Sequence, residues 1–236
     1  MNLEQLIENY RPTTETIELI QSTKIVLLVG ISGAGKDTIK KQIILSPEYH
    51  DIVSHTTRAP RHNDSVAETP GIDYHFIDND TVLHMIEDTA FIEAKYVHGT
   101  VYGTSVQEVR AAHDHQQIAI TDVDVQGVDE YKQLSKAVIA IFILPPSYSV
   151  WRERLQKRYN NTEEFDAEWP KRKDSAIKEL THALEVPYYH FIINDELDRS
   201  VQVAGEIAHQ PDVFHRKDDE ARLAARDLLD EILQHN

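Results

Sequence analysis

An α/β fold, with helices on both faces of a parallel sheet built around a phosphate-binding loop, is what this sequence predicts. Three observations lead there. Apolar, β-branched runs of strand length alternate with segments of helical composition, the pattern of parallel strands joined by crossover helices. The run Ile25-Val26-Leu27-Leu28-Val29 passes directly into Gly30, Gly33 and Gly35, then into Lys36 and a helix-compatible segment, the setting a phosphate-binding loop requires. A hydrophobic content of 41% over 236 residues supports one α/β domain with inserted lobes.

Taken in order, residues 1–23 read as one or two short helices split near Arg11-Pro12. The phosphate loop and its helix follow and end near Ser46-Pro47. Its glycines let amide N–H groups turn toward anionic oxygens. The helix N-terminus adds partial positive charge and Lys36 a full one. Asp37 stands where a hydroxyl residue normally follows the lysine. Asp51–His55 reads as a strand and His62–Gly71 as a loop punctuated by Pro70-Gly71. Asp73–Ile77 alternates like a short strand, and Asp80 is placed to cap a helix through Asp88. Phe91–Val97 and Val101–Thr104 read as strands around a turn at Gly99, before a helix from Ser105 to about His113.

Ile118–Asp124 reads as a buried strand, followed by Gly127 and another helix. Ala137–Leu144 is the longest β-rich run, and Pro145-Pro146 stops it. Ser147 is placed to cap a helix through Arg158, a polar stretch runs from Tyr159 to Trp169, and a further helix covers about Pro170 to Leu184. His190–Ile193 is a short strand and Leu197–Ile207 a helix. In the tail, Asp218–Leu233, the stripe Ala221, Ala225, Leu228, Ile232 has helical spacing and is expected to pack on its own domain.

Composition removes several functions. The formal charge is −16, from 40 acidic and 24 basic residues, which disfavours nucleic acid and anionic membranes as partners. No cysteine is present, so disulfides and thiolate metal sites are excluded. Met1–Gln5 lacks the basic start and apolar core of a signal peptide, and no apolar run approaches membrane-spanning length. A cytoplasmic setting is expected. Of thirteen histidines, His113 and His115 flank Asp114, but with no third ligand apparent they read as exposed helix-end residues.

The loop by itself does not choose between ATPase, GTPase and kinase. Arg58 and Arg61 beside Ser54, with Tyr74 and Tyr102 downstream, offer guanidinium forks and phenols suited to a phosphate monoester. From Val29 to Ile207 the chain carries GISGAGK, VSHTTRAPR, GIDYHF, FIEAKYVHGTVYGT, DVDVQG, IFILPPS, RLQKR and INDELD in that order. With these pieces the chain resembles the guanylate kinases over about three quarters of its length.

The resemblance implies phosphoryl transfer from ATP to GMP, with dGMP a weaker substrate. It also implies an inserted GMP-binding lobe at about 54–104 and a mobile lid at about 154–172, within a domain at 24–208; residues 1–23 and 209–236 are helical extensions. GMP phosphate would fall to Ser54, Arg58, Arg61, Tyr74 and Tyr102, and the base to Glu93, Thr104 and Asp124 with Gly103 between them. Guanine offers N1–H and N2–H₂ as donors and O6 as acceptor, which matches two carboxylates and a hydroxyl. Adenine would leave both carboxylates unpaired. ATP would lie on Gly30, Ser32, Gly33, Ala34, Gly35, Lys36, Asp37 and Thr38, with Arg154 and with Asn194 near the adenine. Lys36, Arg58, Arg158 and Arg172 would neutralise the transferring phosphoryl group. For Mg²⁺, Asp37 is a candidate ligand, and Asp122 reads equally as an orienter of its waters or as an ordinary strand-end carboxylate.

Some features depart from the family. The segment between Arg61 and Asp73 is about four residues longer than usual and that between Arg158 and Arg172 about three, insertions that exposed loops tolerate. Tyr159 stands where the family commonly has glycine. Asp37 also suits a kinase of ribose 1,5-bisphosphate or of another nucleoside monophosphate, against which the Glu93, Thr104 and Asp124 set speaks. A non-catalytic binding module on the same fold would commonly have lost Lys36 or the glycines, which are all present.

Overall fold

The computed structural model describes residues 2–63, 66–97, 99–159, 161–214 and 219–235. In chain order the elements are α1 (Leu3–Asn9), α2 (Thr14–Ser22), β1 (Ile25–Val29), α3 (Lys36–Ile43), β2 (Tyr49–Asp51), β3 (His55–Thr56), β4 (His62–Asn63) and β5 (Val66–Ala67). There follow β6 (His75–Phe76), α4 (Asn79–Glu87), β7 (Phe91–Val97), β8 (Thr100–Ser105), α5 (Val106–Asp114), β9 (Ile118–Asp122), α6 (Val125–Leu134) and β10 (Ile139–Leu144). The chain closes with α7 (Tyr148–Gln156), α8 (Thr162–Glu185), β11 (Tyr189–Ile193), α9 (Leu197–His209), α10 (Pro211–Phe214) and α11 (Asp219–Gln234). Among the expected features, Asp64 and Ser65 of the loop, His98 of the YVHGT motif, Asn160 of the lid and Asp218 of the tail lie outside the described residues.

The chain forms two compact units. One comprises Ile25–Pro47, Ile120–Lys132 and Val138–Asn236. Its strands run in the order β11-β10-β1-β9, and β10 pairs in parallel with both β1 and β11. β1 and β10 are buried at every position, as strands covered on both faces must be, and this is why their sequences do not alternate. The tail helix α11 packs on α8, α7 and β11. It buries Ala225, Leu228 and Ile232, while the His235 ring stacks on Tyr148 at 4.4 Å and Lys173 Nζ donates to the His235 carbonyl at 3.1 Å.

The other unit comprises Met1–Lys24, Glu48–Ala119 and Gln133–Ala137. Its sheet has the order β6-β3-β8-β7. β8 is antiparallel to β3 and β7, and β6 is parallel to β3. α1 and α4 pack at its edge, with Ile7, Val82, Phe91 and Val101 forming a small core. Tyr10 Oη accepts from Phe91 N–H at 3.1 Å and donates to the Phe91 carbonyl at 2.5 Å, which ties α1 to β7. β4 and β5 form a separate hairpin.

Four expectations are corrected. The Asp51–His55 run divides into the ends of β2 and β3, because Val53 N–H goes to the Glu108 carboxylate at 3.0 Å rather than to a strand. The Asp73–Ile77 strand shortens to His75–Phe76. The cap of α4 is Asp78, not Asp80: Asp78 Oδ1 accepts from Thr81 N–H at 2.8 Å. The helix expected from Pro170 begins at Thr162 and carries Pro170 in its interior. Asn161 caps it through Glu164 N–H at 2.9 Å. The backbone bond that Pro170 removes is offset by an aromatic cluster in which Trp169 lies 5.1 Å from Trp151 and 5.4 Å from Phe165. Among the described residues no helix is long and apolar enough to cross a membrane.

Because Ile232 is fully buried, Ile232→Ala should destabilise the protein by about 2–5 kcal/mol, the range for deleting a buried aliphatic side chain. Urea unfolding of the two proteins measures it.

Candidate active site

The end of β1 is shaped by three glycines. Gly30, Gly33 and Gly35 all have positive φ. A Cβ on Gly30 would lie 2.3 Å from the Ile143 carbonyl oxygen, and one on Gly35 would lie 2.2 Å from Asn194 Nδ2. The loop can therefore take this course only without side chains at those points. Gly35 is the left-handed residue from which α3 starts at Lys36.

The loop carbonyls are held from outside. Trp151 Nε1 donates to the Ser32 carbonyl at 2.8 Å. Asn194 Nδ2 donates to the Ala34 carbonyl at 2.8 Å, and Arg154 Nη1 reaches the same oxygen at 3.3 Å while its Nη2 donates to the Asn194 carbonyl at 3.1 Å. The Ser32 and Ala34 carbonyls are fixed in this way from outside, and within the turn Ala34 N–H donates to the Ile31 carbonyl at 3.0 Å. Lys36 Nζ donates to the Gly30 carbonyl at 2.6 Å, and Arg158 Nη1 to Ser32 Oγ at 3.3 Å. Asp37 and Thr38 are exposed on the first turn of α3. Arg172, on α8, donates through Nε to Tyr159 Oη at 3.1 Å. This unit thus brings Gly30–Lys36, Arg154, Arg158 and Asn194 together. Asn194 is 6% exposed and braces the loop.

Two carboxylates of the same unit have structural partners. Asp122, at the end of β9, pairs with Lys40 at 3.1 Å. Asp124 Oδ1 accepts from Gly127 N–H at 2.7 Å, which caps the start of α6. Sequence reading missed Trp151 and also Glu179, whose carboxyl burial pushes up against the opposing influence of Ser175 and Lys36. No motif distinguishes either residue from ordinary helix positions.

In the other unit, strand register does the assembly. Thr104 is the direct partner of Glu93 across β7–β8, and Tyr102 is partnered by Lys95 on one side and Thr56 on the other. Residues two apart share a face, so Glu93, Thr104 and Tyr102 lie on one side of the sheet. Tyr74 joins them through a T-shaped contact with Tyr102 at 6.1 Å. The Arg58 guanidinium lies 5.3 Å from the Tyr74 ring centre. Gly103 has no room for a Cβ, which would meet the Glu93 carbonyl at 2.8 Å. Ser54 is partly buried and accepts His75 N–H on its carbonyl at 2.8 Å, and Arg61 is exposed. Arg58 forms a two-pronged ion pair with Glu68, a residue absent from the sequence reading; the pair raises the arginine's pKa and lowers the carboxyl's.

The opposite face carries a cluster of titratable groups. The His55 ring lies 4.6 Å from that of His75. His75 Nε2 is 3.0 Å from Glu108 Oε1, and His50 Nε2 is 3.7 Å from Glu108 Oε2. Burial first, then His75, lowers the His55 pKa from 6.5 to about 4, against Glu108. No group of three or more ligating side chains able to hold a metal occurs among the described residues.

The sequence model of the guanylate kinase family matches residues 22–210. The chain is 38% identical over 184 residues to a guanylate kinase of Sus scrofa, covering 76% of this chain and 88% of that one. It is 37% identical over 172 residues to a guanylate kinase of Syntrophotalea carbinolica, covering 72% and 78%. A guanylate kinase 1 of Oryza sativa subsp. japonica is 35% identical over 181 residues, 75% of this chain but only 46% of the longer relative. Among solved structures, guanylate kinase from Anaplasma phagocytophilum is similar with a TM-score of 0.59 at 23% identity, covering 81% of this chain and 87% of that chain; this likeness speaks to the fold.

The folded protein excludes a proton from His55 that the unfolded chain accepts. Stability should therefore be complete in this respect above pH 6.5 and fall as pH drops toward about 4. His55→Gln, which cannot take the proton, should lose less stability than wild type between pH 7 and pH 4.5, as read from urea midpoints.

Proposed function

The chain belongs to the guanylate kinase family, and from that premise we propose that it transfers the γ-phosphoryl group of ATP to GMP, giving ADP and GDP. The observation that carries the acceptor's identity is the pairing of Glu93 with Thr104 across β7–β8, on the face that also holds Tyr102. A carboxylate accepts from guanine N1–H and N2–H₂, and the threonine hydroxyl can donate to O6. We assign Asp124 to the base as well; it would do so while its Oδ1 caps α6. Ser54, Arg58, Arg61, Tyr74 and Tyr102 are assigned to the acceptor phosphate, with about 54–104 as the GMP-binding lobe.

For ATP we assign the loop from Gly30 to Lys36 with Asp37 and Thr38, and Arg154 and Asn194 as the groups that keep the loop's shape. In the reaction an oxygen of the GMP phosphate attacks the γ-phosphorus in line as the bond to the ADP oxygen breaks. Such a transfer needs positioning and charge neutralisation more than covalent help. Lys36, Arg58, Arg158 and Arg172 are assigned to the neutralisation, the last two from a lid at about 154–172.

Magnesium fits the donor chemistry available. It is held in nucleotide sites by one or two carboxylates plus phosphates and water, and Asp37 is an exposed carboxylate on the first turn of α3. Asp122 would join only by sharing with Lys40. When bound, the ion neutralises phosphate oxygens and holds them in register.

Steady-state rates with GMP, dGMP, AMP, UMP and ribose 1,5-bisphosphate test the assignment. GMP should be turned over fastest, and no turnover with GMP would overturn it. In the same panel Glu93→Gln, which exchanges an acceptor oxygen for a donor amide, should lose much of the preference for GMP over AMP. Asp37→Ser restores the usual hydroxyl after the loop lysine. It should change the magnesium concentration for half-maximal rate, and an unchanged magnesium profile would remove Asp37 from the metal's ligands.

A further inference from the structure

Glu68 has no place in the assignments above, yet it organises the arginine that serves the acceptor phosphate. The hairpin of β4 and β5 falls in the lengthened segment after Arg61 and returns the chain so that Glu68 N–H donates to the Arg61 carbonyl at 2.9 Å. The Glu68 side chain then takes Arg58 end-on: Nη1 to Oε2 at 2.8 Å and Nη2 to Oε1 at 3.0 Å. Oε2 also accepts Arg61 N–H at 2.7 Å, and Arg58 Nη1 donates to the Ala59 carbonyl at 2.7 Å. The Arg58 and Glu68 side chains are only 13% and 12% exposed.

A guanidinium has five N–H donors in a fixed plane. Glu68 and Ala59 engage the Nη1 side and one Nη2 proton. What remains is the side-on edge, Nε and the second Nη2 proton, and on this side the guanidinium also meets the Tyr102 hydroxyl, a group assigned to the same phosphate. Arg58 Nε is buried and has no hydrogen-bond acceptor among the described residues. A buried N–H without an acceptor is costly, and this one lies on the edge that binds two oxygens of one phosphate in parallel. The Tyr74 ring near the guanidinium further limits its orientations.

We propose that Glu68 is a positioning residue for the acceptor phosphate, which pins the end-on edge of Arg58 and presents the Nε–Nη2 edge to the phosphate oxygens. The inference rests on the reading that this lobe takes a nucleoside monophosphate. A carboxylate in this place is also capable of mimicking the phosphate and competing with it. The anchoring of Oε2 by Arg61 N–H and of the Glu68 backbone by the hairpin favours positioning, because a competitor has to leave.

The two roles have opposite signs in one experiment. Glu68→Gln in the full chain should raise KM for GMP about tenfold or more, the scale of one charge-assisted hydrogen bond, with KM for ATP unchanged. In an Arg58→Lys background, where no planar fork remains to be oriented, Glu68→Gln should add less than about twofold. A KM for GMP that falls or stays the same, a parallel rise in KM for ATP, or full additivity of the two substitutions would overturn the proposal. Should Glu68→Gln not fold, Glu68→Asp, which keeps charge but shortens the reach, should raise KM for GMP to a smaller extent, and an unchanged KM would again overturn it. Absence of GMP binding to the wild-type chain, by calorimetry, would overturn the functional reading and this inference with it; GMP binding that Glu68 substitutions leave unaltered removes this inference alone.

Discussion

The unit that holds the phosphate loop depends on one steric constraint. Where β1 ends, the backbone passes so close to Ile143 and Asn194 that a single methyl group would overlap atoms of either residue. Positive φ at Gly30, Gly33 and Gly35 removes the loop from the range of ordinary residues and makes a tight turn possible. That closeness in turn lets Asn194 and Arg154 reach the Ala34 carbonyl and Trp151 the Ser32 carbonyl. The loop is thus braced from its exterior, while Lys36 Nζ on the Gly30 carbonyl ties it from within. A phosphate cradle works by presenting donors already in place, which avoids the cost of ordering them on binding.

The other unit solves a different problem with a sheet of very short strands. β3 and β6 contribute two residues each, too little for a stable ladder on their own. Both are fixed on the other face by side chains: Glu108 binds Val53 N–H and His75, while His55 packs edge-on against Phe91 at 6.0 Å. One face of this unit therefore carries the polar groups assigned to the nucleotide, and the other carries a partly buried His–Glu cluster that stabilises the strands presenting them. The depressed pKa of His55 is a consequence of that second duty.

Charge is distributed with the same economy. A chain of net charge −16 repels polyanions in general, but three of its assigned arginines are held in place by specific partners. Arg58 is paired with Glu68, Arg172 bonds Tyr159, and Arg158 bonds Ser32. Each contact orients a long side chain that would otherwise lose about 2 kcal/mol of rotamer entropy when a ligand fixes it. Acidic surface and local basic recognition therefore coexist, because recognition rests on oriented donors at close range rather than on long-range field.

What the sequence determined by itself is whatever follows from local rules. The glycine-rich turn, the buried β1 and β10, the Ser147 cap and the helical stripe Ala225, Leu228, Ile232 were all legible, because φ preference, capping chemistry and periodicity act within a few residues. The family motifs also named the residues assigned to each substrate. Only the tertiary structure decided which of them meet. Glu93 faces Thr104 through strand register, Glu68 reaches Arg58 through a hairpin, Asn194 braces a loop 160 residues earlier, and α8 continues through Pro170 because aromatic packing outweighs one lost backbone bond. The physical reason is common to all four. A side chain's partner across the fold depends on the register and approach of distant backbone, and no periodicity or spacing within a segment encodes that.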